Sequence, residues 1–269
     1  MRLFIVLLAT VFSIAFSKLA VSGETRLVKV DSTRGVTQSF LYINPGNAKA
    51  AVILFVGGDG VLNLSSSGKI RDNETNFFSR TFEQFSEHGL MVALVDVPSD
   101  MDATKAMFRI GKKHAQDISA VIKFLKSESD VPVWLVGTSM GTLSAASIAI
   151  KMQDMISGVV LTSSITRPGP EKSLKNLTAK FPDGVASLNL KKFEKPALIV
   201  SHNEDTCKVT PPEDAAKLKG MLSNSPRVDV IMLKGGHARK SDVCHGLANH
   251  GFYGIEKKAV ETIVRFILQ

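Results

Sequence analysis

The 269 residues are 44% hydrophobic and carry a formal net charge of +8, with 33 Lys and Arg against 25 Asp and Glu. That is enough apolar mass for one sizeable core, and the length suits a single α/β domain better than two small ones. The basic residues are spread along the chain beside one Trp and two Tyr, so a nucleic-acid platform of stacked aromatics and clustered arginines is not evident. A solvated basic surface, suited to peripheral contact with an anionic envelope, is the partner class that the charge allows.

Arg2 precedes the apolar run "LFIVLLATVFSIAF", and Ala15 and Ser17 are the small residues of a cleavage site. This is the form of a secretory signal peptide, cut after residue 17 or 23. The run is shorter than the about 20 residues of a membrane span. The mature protein is then expected to be secreted or periplasmic, with residues 24–269 as one domain. In an oxidising compartment the two cysteines, Cys207 and Cys244, are expected to form a disulfide. The sequons at Asn63, Asn73 and Asn176 would matter only in a eukaryotic secretory pathway.

From residue 24 onward, "TRLVKV" and "VTQSFLYIN" alternate like half-exposed strands around the turn "DSTRG". "AAVILFVGGDG" is a continuous apolar run, as in a buried parallel strand. A helix is predicted around "NFFSRTFEQFSEHG", with Phe77, Phe82 and Phe85 on one face and a stop at His88-Gly89. Next come the strand "LMVALVDVPSD", one helix over "AMFRIGKKHAQDISAVIKFLKSE" and the strand "VPVWLVG". A small-residue helix follows Ser139, and then the strands "ISGVVLTSSI" and "KPALIVSHNED". A Pro-initiated helix "PPEDAAKLKGMLSN", a last strand "RVDVIMLKGG" and the amphipathic "EKKAVETIVRFILQ" complete the chain. This alternation predicts a mostly parallel sheet flanked by helices. Residues 166–195, rich in Pro, Gly and Lys, interrupt it as a short cap.

In such a sheet, sites form beyond the carboxyl ends of the strands. Four polar clusters lie at those ends: "GGDG" after Val56, Ser139, Asp205, and a histidine-rich loop after Leu233. Gly137-Thr138-Ser139-Met140-Gly141 fits G-x-S-x-G between a strand and a helix, the bend that lifts a nucleophilic serine out of its surroundings. A serine hydroxyl needs a base, and the base an orienting acid, in the chain order Ser, acid, His. Asp205 is the acid expected, with Glu204 as its neighbour; Asp96 precedes the serine and reads as a structural turn acid. His237, His245 and His250 all follow the last strand, and spacing alone leaves the base open. A Cys207–Cys244 bridge would tie the acid loop to the histidine loop and permit His250 without excluding His237. His202 reads as structural. The oxyanion hole would use the N–H groups of Met140 and of Gly58, with Asp59 as the alternative. No His or Cys pair has the spacing of a zinc site, so neither metal nor organic cofactor is expected.

These residues together resemble the α/β-hydrolase fold superfamily over the whole chain after the signal segment, from "AVILFVGG" through "GTSMG" and "HNED" to the last helix. "HGFYGIE" is similar to the His-Gly-Phe before the closing helix of dienelactone-hydrolase-like members. "HNEDTC" with "SDVCHGLANHGFYGIE" resembles exported bacterial members of unassigned substrate. The resemblance implies a serine hydrolase acting on an ester-type bond of a small molecule, with His250 as base. Two departures stand out: the third strand ends in Val56-Gly57 rather than His-Gly, and the elbow carries a serine where dienelactone-type enzymes use cysteine. The second argues against a dienelactone substrate. The rival reading is a catalytically inactive binding module of the same fold at the cell envelope.

Overall fold

The computed structural model describes residues 23–169 and 174–269; the signal segment, with both of its cut sites except for Gly23, lies outside them. Eight strands form one sheet: β1 (Arg26–Asp31), β2 (Thr37–Ile43), β3 (Ala50–Phe55), β4 (Leu90–Pro98), β5 (Val133–Thr138), β6 (Gly158–Thr162), β7 (Ala197–His202) and β8 (Val228–Leu233). Their spatial order is β1-β2-β4-β3-β5-β6-β7-β8. Pairing is antiparallel for β1 with β2 and β2 with β4, and parallel from β4 to β8. The sequence patterns match: β1 alternates exposed and half-buried residues, whereas β3, β5, β6 and β7 are buried throughout, as strands covered on both faces must be.

The helices are α1 (Phe77–Glu87), α2 (Ala106–Arg109), α3 (Lys112–Glu128), α4 (Gly141–Lys151), α5 (Lys175–Lys180), α6 (Ala215–Met221) and α7 (Glu256–Ile267). Two apolar clusters cover the two sheet faces. One contains Ile118, Val121, Ile122 and Leu125 of α3 with Leu143 and Ile148 of α4. The other contains Phe77, Phe82 and Phe85 of α1 with Val260, Ile263 and Phe266 of α7. Asn76 caps α1, its side chain accepting from the Phe78 N–H, and Gly89 (φ +80°) lets the chain leave the helix.

The segment 106–128, expected as one helix, is two. The backbone turns extended at Gly111 (φ −80°, ψ 162°), which becomes the N-cap of α3. Arg109, at the end of α2, donates to Gly58 O in the loop after β3. Residues 174–195 form the expected short cap from α5 and two 3-10 turns.

The β1–β2 turn is fastened to α3 by charge. Arg34 Nε donates to Asp117 at 2.8 and 3.0 Å, and its terminal nitrogens reach Asp100 at 2.6 and 2.8 Å. Asp117 is fully buried, so removing its partner leaves an uncompensated charge. Arg34→Met is expected to lower stability by about 3 kcal/mol, read from chemical denaturation; a change under about 1 kcal/mol would contradict this reading of the turn.

Candidate active site

β5 delivers Ser139 to the carboxyl edge of the sheet. Ser139 has φ +51°, a left-handed conformation unfavourable for a residue with a side chain. It is held by its N–H donating to Thr162 O at 3.0 Å and by Thr142 Oγ1 donating to Ser139 O at 2.6 Å. The two glycines of the motif make the bend possible. A Cβ on Gly137 would collide with the Gly141 carbonyl, and one on Gly141 with the Phe55 carbonyl.

Asp205 and His250 come from different loops and meet. His250 Nδ1 lies 3.0 Å from Asp205 Oδ2, with both side chains buried. Asp205 Oδ1 accepts the Cys207 N–H at 2.9 Å. Thr210 Oγ1 sits 3.1 Å from both Asp205 Oδ2 and His250 Nδ1; nothing in the sequence order marked this residue. With Nδ1 on the acid, Nε2 is the free ring nitrogen: it is buried and has no hydrogen-bond partner among the described residues. His250 and Ser139 line the same cavity of about 140 Å³. The Ser139 and His250 side chains form no direct hydrogen bond in this structure, a common state for a site without substrate.

The other sequence candidates are elsewhere. His237 is exposed, stacks edge-on against Tyr253 at 5.5 Å and lines a separate hollow with Gly236 and Arg239. His202 Nε2 is 2.7 Å from the Gly235 carbonyl, a structural contact. Asp96 accepts the N–H groups of Leu62 and Leu64 at 2.8 and 3.1 Å, as its reading as a turn acid expected. Glu204 is exposed. His245 is exposed and borders both the small cavity and a larger one.

The histidine loop has no strand or long helix of its own and is fastened from outside. Cys207 and Cys244 form the disulfide expected of them. Arg80 of α1 donates to Gly246 O and Gly251 O, both at 2.9 Å, and pairs with Glu256. Ser163 Oγ donates to His250 O at 2.9 Å. Phe252 adopts the left-handed conformation (φ +57°) yet is fully buried, 5.0 Å from the ring of Phe77. Burial of a phenylalanine contributes about 1.5–3 kcal/mol, which offsets the roughly 1–2 kcal/mol of backbone strain. The "HGF" run is thus one turn whose Phe anchors what its His presents.

A larger cavity, about 1000 Å³, shares Ser139 with the small one but not His250, and is lined by Ala106, Met107, Met140, Leu174 and Leu177 together with Gly58 and Asp59. Both oxyanion candidates, Gly58 and Met140, therefore line a cavity that Ser139 also lines.

The model of the family described as "Serine aminopeptidase, S33" matches residues 72–225, more than half of the chain. The protein belongs to this family of α/β hydrolases. The hydrolase fold is shared with the Pyrococcus furiosus esterase Pf2001 (TM-score 0.65, 16% identity, covering 96% of this chain and 94% of that one). It is shared too with the α/β hydrolase GrgF from Penicillium sp. sh18 (TM-score 0.64, 12% identity, 91% and 98%). Est1E from Butyrivibrio proteoclasticus is a third (TM-score 0.62, 17% identity, 90% and 98%). No curated protein matches the sequence.

In this hydrolase the disulfide closes a loop with a sequence separation of 37, worth about 4 kcal/mol in the chain-entropy model. Replacing both cysteines by serine is expected to lower Tm by roughly 5–15 °C. It should also lower activity more steeply with temperature than wild type. Unchanged melting would mean that Arg80 and Phe252 hold the loop unaided.

Proposed function

We propose that the protein is an exported serine hydrolase that cleaves an ester-type bond through an acyl-enzyme. One observation carries the reading: a buried Asp205 fixes Nδ1 of His250, while Nε2, left without a partner among the described residues, belongs to a side chain lining the same cavity as Ser139. In that arrangement His250 takes the proton of Ser139 as it attacks the carbonyl, and Asp205 stabilises the imidazolium. The N–H groups of Gly58 and Met140 receive the oxyanion. Export is supported by the signal-like residues 1–23 and by the disulfide.

The two cavities suggest how a substrate lies. The leaving group must receive its proton from His250, so it occupies the small cavity, whose polar lining includes Asn73, Thr75 and Asn76. The acyl group stays on Ser139 and extends away from the histidine, into the larger cavity with its apolar wall. The substrate class is then an ester of a bulky apolar acid with a small polar alcohol. A serine aminopeptidase activity is less well served. Asp59 is the one acid among the described residues lining the larger cavity, and its Oδ1 is occupied by the Val61 N–H and by Asn73.

A fluorophosphonate probe is expected to add one adduct to the wild-type protein by intact mass. The adduct should be absent in Ser139→Ala and slowed about a thousandfold or more in His250→Ala, with His237→Ala labelled at the wild-type rate. A folded wild type without adduct would leave the binding module, and salt-dependent association with anionic vesicles surviving Ser139→Ala would favour it.

Two ester series test the orientation. Methyl esters of acids from two to twelve carbons should rise in kcat/KM by about tenfold or more with acyl length. Acetates of alcohols of the same lengths should fall. The reverse trend would place the acyl group on the histidine side, and faster cleavage of aminoacyl anilides than of any ester would return the reading to the aminopeptidase.

A further inference from the structure

Arg109 is the largest fully buried side chain of the fold, and no step proposed above uses it. It ends the four-residue helix α2, and its guanidinium makes no ion pair among the described residues. Its bonds all go to neutral oxygens: Thr104 O at 2.9 Å, Ser144 Oγ at 3.1 Å and Gly58 O at 3.2 Å. His114 shares Ser144 Oγ at 3.0 Å, and burial holds that imidazole down at about 3, so it stays neutral beside the cation. Burial also lowers the guanidinium, to about 10, which leaves it protonated near neutrality. A buried cation that bonds no carboxylate, and feels only the Coulombic pull of Asp59, is costly to keep, and an apolar replacement would leave three oxygens without their donor.

The geometry of the loop shows what the cost obtains. Three consecutive carbonyls of "GGDG" are each taken. Gly57 O accepts the Gly60 N–H at 3.2 Å, Gly58 O accepts Arg109, and Asp59 O accepts the Thr104 N–H and hydroxyl at 2.7 and 2.8 Å. The described peptide bonds are trans, and in a trans peptide the N–H points opposite to the C=O. Turning the Gly57 and Gly58 carbonyls toward these donors therefore turns the Gly58 and Asp59 N–H groups away from them. Gly58 and Asp59 border the cavity that also exposes Ser139. Gly60 is glycine for the same reason. At φ +81° a Cβ there would lie 2.7 Å from Arg109 Nη2 and collide with the Thr104 hydroxyl.

We propose that Arg109 is a positioning residue for acyl transfer: by fixing the Gly58–Asp59 peptide from behind, it aims the Asp59 N–H, the alternative loop donor, at the oxyanion, holds the Gly58 backbone in place beside it, and sets a buried positive charge behind both. The inference rests on the serine-hydrolase reading. It adds to that reading a group that touches no substrate and is needed only as negative charge develops. A lysine in its place keeps the charge but cannot bond three divergent oxygens with a planar fork.

The test compares wild type, Arg109→Met and Arg109→Lys in three measurements: Tm, kcat with KM on the best ester, and affinity for an aryl trifluoromethyl ketone. The ketone forms a tetrahedral oxyanion on Ser139. Losing one oxyanion donor costs about 10²–10³ in kcat, so a misaligned pair should cost about tenfold or more. Arg109→Met is expected to lose that factor in kcat and the same factor in ketone affinity, with KM within about twofold; Arg109→Lys should fall between it and wild type. A merely structural arginine would lower Tm and leave the ratio of ketone affinity to KM unchanged, which overturns the proposal. If Arg109→Met does not fold, the lysine variant decides: wild-type kcat and ketone affinity in a folded Arg109→Lys also overturn it. Wild-type protein that neither cleaves esters nor reacts with a fluorophosphonate removes the underlying reading instead, so the two failures are distinct.

Discussion

The structure depends on how closely β5 and α4 approach each other and β3 at the bend that carries Ser139. Gly137 faces the Gly141 carbonyl, and Gly141 faces that of Phe55, at separations that admit no Cβ. This contact forces Ser139 into a left-handed conformation, and the edge of β6 supports it through Thr162 O. The strain is localised, while the strands on either side are buried and fully paired. Such a bend persists because the surrounding sheet over-determines it. It also places Ser139 in the lining of two cavities of different size and polarity.

Around that fixed point the remaining groups arrive on loops, and each loop is anchored by something other than regular structure. The acid loop folds on itself through Asp205, which accepts from Cys207 and Thr210. The histidine loop borrows its rigidity from the disulfide, from the fork of Arg80 and from the buried ring of Phe252. The loop after β3 borrows its own from Arg109 and Thr104. Buried polar groups in these places are costly unless satisfied, and all three anchors bond backbone carbonyls or buried carboxylates. The broken helix at Gly111 serves the third, since a continuous helix would carry Arg109 along a different axis.

Much of the fold was legible because burial writes itself into sequence. Eight runs of apolar or alternating residues became the eight strands, and the helical faces of α1, α3 and α7 became the two cores. Ser139 and Asp205 were legible because their positions are tied to strand ends. His250 was reached only through its resemblance to the His-Gly-Phe of known hydrolases, since three histidines follow the last strand and spacing does not rank them. Thr210 left no signal, because a threonine five residues past an acid is ordinary. Arg109 left a faint one, a charged side chain in a short segment otherwise made of Ala, Met and Phe.

What the sequence determined by itself is the periodic part: the alternation of strands and helices, the glycine bend and the chain order of serine, acid and histidine. Local sterics and the burial of apolar faces act over a few residues, so they can be read a few residues at a time. The tertiary structure alone decided which histidine meets Asp205, which carbonyls turn toward Arg109, and that Ser139 separates a polar pocket from an apolar one. Those outcomes depend on contacts between residues far apart in the chain, such as Ser163 with His250 and Arg109 with Gly58. Their energies exist only once the sheet has brought the loops to the same edge.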